Sequence, residues 1–407
     1  MSRLRRGRGT NDIENEAAAG LRSHVPESAC RWAIRARSAI LLLGRIVSSD
    51  LLALLAPPLQ TQWAALSSSE QIRLLQQHRL LPLALDHLRQ AGQSLTPLFA
   101  GMLESLESVG QCHARLDNDL LLRVLPALTA CRCRPLLLKG VSLGRWLYAA
   151  PALRPSTDID LLVDPQQRLQ AHDALIEAGL ESDGYSQHDQ ASQQATYHDP
   201  HTGRHIDLHW AINVLPEIAC RFDFARLHAR SIDVPTVPGA RALCRIDALM
   251  HAVAHFFAHQ PANERPGVWL YDIALLARGL DSAGWAQLDA AVREAGLAGL
   301  HVAALRQTSQ WFAIELPEAM LETWQALGQG ECASHLLHAQ DRPIRRLLHS
   351  LGCVPSMRGR IAYLRARLFP AVAWMRGRYR TQGNVQLLKA YLRRWTSGLR
   401  QTLDAHS

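Results

Sequence analysis

The most constraining feature of the sequence is a short segment in its middle third where acidic and apolar residues alternate. Residues 158–163 read Asp-Ile-Asp-Leu-Leu-Val. Side chains two residues apart on a β-strand share a face, so the pattern predicts a strand with both carboxylates on one face. Ile159 and Leu161 are expected to face a core. The apolar residues that follow favour a strand buried on both faces over the alternative, a solvated edge strand.

Two neighbouring carboxylates, Asp158 and Asp160, repel each other unless a divalent cation neutralises them. Asp207 lies on another alternating segment, predicted as a strand over residues 204–209, and joins the pair if the strands are neighbours. Three converging carboxylates are the donor set of two-metal phosphoryl-transfer chemistry. We therefore predict Asp158, Asp160 and Asp207 as catalytic residues and as the ligands of Mg²⁺, with Asp207 as third ligand or general base.

A strand-to-helix junction upstream offers a place for a phosphate group. Residues 134–138 contain a short apolar run, bounded by Pro135 and Gly140, which predicts a buried strand. A helix is expected to follow over residues 142–148. Backbone N–H groups at the start of a helix can bind phosphate, and a glycine permits close approach. Most such junctions bind no ligand, so the prediction depends on the acids nearby.

The wider pattern predicts an α+β protein. Apolar residues recur at helical spacing over residues 30–130 and 246–350, and strand and helix patterns alternate between them. We expect a helical N-terminal unit, a central mixed sheet with helices, and a helical C-terminal unit. The predicted domains are a flexible tail at 1–28, a helical domain at 29–130, an α/β core at 131–215, a helical domain at 216–350 and a basic helical tail at 351–407.

The charge of the chain is unevenly distributed. Residues 341–407 hold 14 Lys or Arg residues against two Asp, a local net charge of +12 in a chain whose net charge is +8. Such a segment can contact an anionic surface, although a solvated basic helix face is the commoner explanation. The N-terminus lacks an apolar run behind its basic residues, and no stretch is long enough for a transmembrane segment. The eight cysteines contain no CxxC pair, so we expect a cytoplasmic location.

Three segments, in this order, resemble the uncharacterised bacterial nucleotidyltransferases of the DNA polymerase beta superfamily. They are Leu-Lys-Gly at 138–140, Arg-x-x-x-Asp-Ile-Asp-Leu-Leu-Val at 154–163 and Asp-Leu-His-Trp at 207–210. The resemblance covers about residues 130–280 and implies a central nucleotidyltransferase fold. It implies that Gly140 and Ser142 contact the triphosphate. It also implies that the acids at 158 and 160 bind Mg²⁺ and that the acid at 207 completes the triad.

Other residues of these segments are predicted to support the site. Lys139 and Arg154 match the family and are predicted to bind the nucleotide phosphates, with a salt bridge or a loop anchor as the alternative. His209 shares a strand face with Asp207, so it can orient that carboxylate or be a hydrogen-bonded core histidine.

A group of histidines follows the acids along the chain. His251, His255 and His259 recur every four residues and would line one face of a helix, a spacing that can bind zinc. The resembling family has a histidine-bearing helix and then a Trp-x-x-Asp element, matched by residues 269–272. Packing against the cleft is therefore the simpler interpretation, and His255 and Asp272 are predicted to contact substrate or to support the residues that do.

The sequence thus predicts a nucleotidyltransferase that uses Mg²⁺. It would move a nucleoside monophosphate, or a related phosphoryl group, from a nucleoside triphosphate such as ATP to a hydroxyl of a small molecule, sugar or peptide. The alternative is a catalytically silent nucleotide-binding or scaffold protein in envelope polysaccharide or modified-peptide biosynthesis. Acceptor choice depends on pocket shape, which the sequence does not specify.

Overall fold

The computed structural model describes residues 68–92, 97–182, 193–259, 265–337, 343–354, 356–370, 372–379, 381 and 383–403. The predicted flexible tail at 1–28 and the first part of the predicted N-terminal helical domain lie outside the described residues.

Within the described residues, helices surround one mixed sheet of seven strands, so the predicted α+β class is confirmed. The helices are α1 Ser68–Gln77, α2 Leu81–Gln90, α3 Pro97–Ala130, α4 Lys139–Trp146, α5 Arg168–Glu177, α6 Pro216–Ala219, α7 Phe224–Ala229, α8 Arg245–Ala258, α9 Gly267–Arg278, α10 Ser282–Ala295, α11 Ala298–Trp311, α12 Glu318–Gly328, α13 Pro343–Cys353, α14 Met357–Leu368, α15 Val372–Tyr379 and α16 Asn384–Leu403. The strands are β1 Leu136–Leu138, β2 Asp158–Leu162, β3 Glu181–Ser182, β4 Gln194–His198, β5 His205–His209, β6 Ile232–Asp233 and β7 Arg241–Ala242. Short 3₁₀ turns occupy Pro151–Leu153, Pro165–Gln167 and Cys332–Leu337.

The strand that carries the acid pair lies in the middle of the sheet. The strand order is β3-β4-β5-β2-β1-β7-β6, with β2 parallel to β5 and antiparallel to β1. In this register Asp160 lies directly opposite Asp207. Neighbouring residues of paired strands lie close enough for their side chains to interact. The sheet therefore brings acids that are far apart in the sequence to one place.

The sequence predicted the central strands more accurately than the edges of the sheet. The predicted strands that became β1, β2 and β5 are confirmed. Helix α4 begins at Lys139, three residues earlier than predicted. Strands β3, β6 and β7 are two residues long, too short to show an alternating pattern. The last two extend the sheet into a stretch beyond residue 215 that had no predicted strand.

Both faces of the central strands are covered, as the apolar run after the acids indicated. Ile159 and Leu161 are fully buried in a core shared with α3 and α5. Leu138 and Leu162 belong to another core, which contains residues of α8, α9 and α11. Side chains alternate along a strand, so the acids of β2 share the face of Leu162. They are thus directed toward the side of the sheet that α8 and α9 cover.

The N-terminal helices are tied to the start of α9 through the turn between α1 and α2. The backbone N–H of Gly267 donates to Nδ1 of His78 at 3.1 Å, and that of Val268 donates to the His78 carbonyl at 3.0 Å. These are N–H groups of the first turn of a helix, which have no partner within the helix. A Cβ at Gly267 would lie 2.8 Å from the Trp311 ring and 3.2 Å from the His78 Cβ. Glycine is thus required for this close contact.

Two features of the remaining chain concern the predictions above. Among the described helices, none has the length and apolar character that crossing a membrane requires. Helices α13 to α16 make up most of the basic segment that the structure describes, and its contact with an anionic surface stays a prediction. The predicted domain boundaries stay predictions as well.

We expect Gly267→Ala to lower the free energy of unfolding by about 1–3 kcal/mol, because the added methyl group must displace the Trp311 ring and the His78 turn. Urea unfolding measures the difference. Gly101→Ala on α3 is the control, since a methyl group there meets no atom within 4 Å and alanine favours a helix. If Gly267→Ala proves as stable as the unchanged protein, the docking of this turn is not tight.

Candidate active site

The structure gathers the three predicted acids in one cleft. Asp158, Asp160 and Asp207 line a cavity of about 320 Å³ between the sheet and helices α8 and α9. The two acids of β2 come from alternate positions of a strand, and the third comes from the adjacent parallel strand β5. Their convergence follows from strand alternation and strand order together.

Asp160 is the most buried of the three acids, with 3% of its surface exposed. Its Oδ1 accepts hydrogen bonds from Nζ of Lys139 at 2.6 Å and from Nε2 of His209 at 2.8 Å. Burial alone would raise the pKa of this carboxyl, but Lys139 and His209 outweigh burial and hold the pKa well below its ordinary value. Asp160 is therefore an anion at any physiological pH.

His209 is buried and hydrogen-bonded, which agrees with the second of its two interpretations, a hydrogen-bonded core histidine. Its ring does not contact Asp207, two residues earlier on the same strand, but hydrogen-bonds to Asp160 on β2. The reason is the parallel register, in which His209 lies opposite Leu162, on the same face as Asp160. The sequence showed which face His209 occupies, but the neighbouring strand determines its partner.

Asp207 is held by side chains of β4, the strand that pairs with β5 on the side away from β2. Thr196 Oγ1 donates to its Oδ1 at 2.6 Å, and Gln194 Nε2 donates to its Oδ2 at 3.3 Å. Thr196 lies directly opposite Asp207 in the antiparallel pair of β4 and β5. These two side chains were not singled out from the sequence, because a polar residue on a half-buried strand is common and only the register reveals its partner.

Asp158 lies at the start of β2 and is the acid whose charge is least compensated. Thr157 Oγ1 donates to its Oδ1 at 3.3 Å. Burial raises the pKa of Asp158, and the charges of Asp160 and Asp207 raise it further, while Lys139 lowers it. This carboxyl would gain most from a nearby cation.

The residues predicted to bind phosphate have close contacts within the protein. Lys139 adopts a left-handed backbone conformation with φ of +52°, and its side chain pairs with Asp160. A Cβ at Gly140 would lie 2.8 Å from Ser156 Oγ, so glycine is required where α4 packs on the loop before β2. The buried Ser142 Oγ accepts from Trp146 Nε1 at 3.4 Å. All three line the cleft, and phosphate binding by them stays a prediction.

Arg154 and Asp272 form a buried ion pair. Nε and Nη2 of Arg154 donate to the two oxygens of Asp272 at 2.8 Å and 2.7 Å, and Tyr148 OH donates to the same carboxylate at 2.6 Å. Two parallel hydrogen bonds of this kind fix geometry as well as charge. The pair joins the loop before β2 to α9, which agrees with the loop-anchor alternative for Arg154. Its role in nucleotide binding stays a prediction.

The histidines of α8 pack against the cleft. His251 is buried, burial lowers its pKa to about 3, and its Nε2 has no hydrogen-bond partner among the described residues. The ring of His255 lies 4.4 Å from His259 and 4.5 Å from Trp269, in edge-to-face contacts. Burial also lowers the pKa of His255, so the ring is neutral at physiological pH. These contacts support packing at the cleft over a zinc site, and substrate contact by His255 stays a prediction.

A further residue of the cleft, Arg79, was not predicted from the sequence either. Arg79 lines the cavity of the acids, and among the described residues it pairs with no carboxylate, whereas Lys139 and Arg154 pair with acids. It lies on the turn that docks on Gly267 and has a left-handed φ of +57°. Arg79 precedes the resembling motifs and lies in a helical stretch, where a single exposed arginine carries no signal.

A comparison with protein families bears on this cleft. The family model of an uncharacterised nucleotidyltransferase matches residues 64–313, more than half of the chain. The chain belongs to this nucleotidyltransferase family. The match confirms the resemblance to an uncharacterised nucleotidyltransferase family and extends it to the N-terminal residues that include Arg79. A search of curated proteins found no match.

The donor atoms at the centre of the cleft suit a divalent cation. Ligand atoms of Asp160, Asp207 and His209 lie within 4.8 Å of one another, and the carboxylate of Asp158 lines the same cavity. Both hydrogen bonds of Asp160 fall on Oδ1, which leaves Oδ2 for a cation. Carboxylate oxygens are the ligands that hard cations such as Mg²⁺ prefer. The residues present therefore fit the metal that nucleotidyl transfer uses.

We expect Asp272→Asn to lower the free energy of unfolding by about 3–5 kcal/mol, because it leaves the buried guanidinium of Arg154 without its countercharge. Urea unfolding followed by circular dichroism gives the change. Glu294→Gln is the control, because it removes the partner of Arg226 at the surface and should leave the transition unchanged. Equal effects of the two substitutions would contradict a structural role for the buried pair.

Proposed function

We propose that the protein is a Mg²⁺-dependent nucleotidyltransferase of the DNA polymerase beta superfamily, acting on a nucleoside triphosphate and a hydroxyl acceptor. The observation that carries the proposal is the register of β2 and β5, in which Asp160 lies directly opposite Asp207 in a cleft that Asp158 also lines. Family membership supports the reaction class. The proposal includes the predicted cytoplasmic location, because the proposed substrates are nucleoside triphosphates and these are present in the cytoplasm.

In the proposed reaction the acceptor oxygen attacks the α-phosphorus, the bond to the β-phosphate oxygen breaks, pyrophosphate leaves, and the hydroxyl proton passes to Asp207. Asp158, Asp160 and Asp207 would hold Mg²⁺, which when bound neutralises the triphosphate and lowers the pKa of the attacking hydroxyl. Lys139 and His209 keep Asp160 ionised and fixed in position.

The protein's remaining contribution is positioning. Thr196 and Gln194 hold both oxygens of Asp207, so this carboxylate keeps one orientation toward the acceptor. Helix α9 is held to the loop before β2 by the Arg154–Asp272 pair and forms one wall of the cleft. Groups that are already oriented need no rearrangement when charge develops in the transition state.

The central test compares acid variants in nucleotide titrations and in pyrophosphate release. Each of the four nucleoside triphosphates is titrated in Mg²⁺ by calorimetry, and pyrophosphate is measured in the same samples. We expect Asp158→Asn and Asp207→Asn to reduce pyrophosphate release by more than about 100-fold, since even groups that only orient a metal ligand contribute about 10- to 100-fold. Each substitution removes repulsion among the acids, so the fold should survive.

Asp173→Asn, at an exposed acid on α5, is the matched control and should behave like the unchanged protein. Two outcomes would count against the enzyme. Triphosphate binding without pyrophosphate, with every acceptor class tried, would favour the catalytically silent module. Failure of the folded protein to bind any triphosphate would contradict the proposal that a nucleoside triphosphate is the substrate.

Arg79 is proposed as a further contact to the triphosphate, because it is a cation at the cleft with no carboxylate partner among the described residues. A hydrogen bond to a charged group contributes about 1.5–3 kcal/mol, so Arg79→Asn should weaken triphosphate binding by about 10- to 100-fold. Asparagine tolerates the left-handed conformation, which keeps the turn intact. Calorimetry with the triphosphate and with its nucleoside separates the contribution of the phosphates to binding from that of the base and sugar.

Binding of the nucleoside should be unchanged in Arg79→Asn, because only the phosphates are in question. Arg73→Asn, at an exposed position of α1 that does not line the cleft, should bind both ligands normally. Parallel losses for triphosphate and nucleoside would assign Arg79 to the fold of the cleft and not to phosphate.

A further inference from the structure

A second cavity adjoins the acid cleft. It has a volume of about 400 Å³ and lies between α2, α3, α4 and the loop over residues 151–157. Its walls are mainly apolar. They include Leu81, Pro82, Leu106, Val109, Val141 and Ala152. Ligand sites for small molecules commonly have volumes of about 300–1,000 Å³ and are largely apolar.

Three of the four charged side chains in the wall of this cavity, those of Asp117, Arg145 and Arg154, have partners within the protein, and the fourth, Arg79, is the proposed contact to the triphosphate. Asp117 forms a buried ion pair with Arg204 at 2.7 Å. Arg145 donates to Asn118 Oδ1 at 2.8 Å and to the carbonyl of Val141 at 3.0 Å. Side chains that are already satisfied gain little from a polar ligand, and most of the wall is apolar, so the hydroxyl groups of a polyol would find few partners here. The cavity therefore favours an apolar ligand over a sugar.

The two cavities share a wall. Arg79, Gly140, Arg154, Ser156 and Thr157 line both of them. The hydroxyl groups of Ser156 and Thr157 lie 3.5 Å and 3.3 Å from Oδ1 of the first acid of β2. A molecule in the second cavity would therefore lie against side chains that also contact the first acid of β2.

We propose that the second cavity is the acceptor site and that the acceptor is an apolar alcohol. The inference rests on the proposed function and narrows its acceptor. The apolar part of the acceptor occupies the second cavity, and its hydroxyl passes Ser156 and Thr157 to reach the acid cleft. Its oxygen forms the new bond to the α-phosphorus, its proton passes to Asp207, and pyrophosphate is the leaving group.

The test uses 1-octanol as the probe and a charge at the rim of the cavity. Val109 lines the cavity and is 53% exposed, so Val109→Glu places a charge beside the apolar walls without burying it in the core. Leu122→Glu is the matched control, on the same helix at 51% exposure and in neither cavity. Saturation-transfer NMR measures octanol binding, and calorimetry measures nucleotide binding in the same three proteins.

We expect octanol to bind the unchanged protein and Leu122→Glu alike and to bind Val109→Glu at least tenfold more weakly, with nucleotide binding equal in all three. Val109→Trp, which narrows the cavity without a charge, should reproduce the loss. Octanol should also stimulate pyrophosphate release in the unchanged protein, and methyl glucoside should not. Equal octanol binding in Val109→Glu and Leu122→Glu, or stimulation by methyl glucoside alone, would overturn the proposal.

The two proposals fail in different ways. If none of the proteins, including the unchanged one, binds nucleotide or releases pyrophosphate while Val109→Glu still weakens octanol binding, the proposed function is rejected. The second cavity then remains an apolar ligand site. Normal nucleotide binding with octanol binding insensitive to Val109→Glu would reject the acceptor site alone.

Discussion

The cleft is organised around the repulsion among three carboxylates that the sheet brings together. Asp160 can remain charged while nearly fully buried because Lys139 and His209 share one of its oxygens. Asp207 is held by neutral donors, and Asp158 has a raised pKa. The negative charge is thus compensated at Asp160, in the middle of β2, and least compensated at Asp158, at the start of the strand. This uneven compensation gives a cation a defined place.

A second long-range constraint keeps the cleft in shape. Arg154 precedes β2, Asp272 belongs to α9, and their two parallel hydrogen bonds join elements that are 118 residues apart in the chain. The start of α9 is held in turn by the His78 turn, from 189 residues away. Helix α9 is therefore fixed both to the loop before β2 and to the N-terminal helices. The wall of the cleft is part of the framework and not an independent lid.

Local patterns in the sequence were enough to predict the central strands and the shared face of the first two acids, because strand alternation has a period of two residues. The pairing of Asp160 with Asp207 needed the strand order, whereas the resemblance to a family implied only that the acid at 207 completes the triad. Contacts between segments that are distant in the chain could not be predicted from local patterns. The acid that His209 contacts was not identified, Thr196 was not noticed, and Arg79 lies at the cleft because its turn docks on α9.

The wall shared by the two cavities separates two kinds of sequence change. The acids and their supporting residues lie on β2, β4, β5 and the start of α4, whereas the apolar walls of the second cavity belong largely to α2 and α3. Under the proposed assignment, substitutions along these two helices can alter which alcohol is accepted while the reaction centre stays intact. Members of the family can then differ in the alcohol they accept through changes on these two helices alone. Ser156 and Thr157, which line both cavities, would stay unchanged between the reaction centre and the acceptor site.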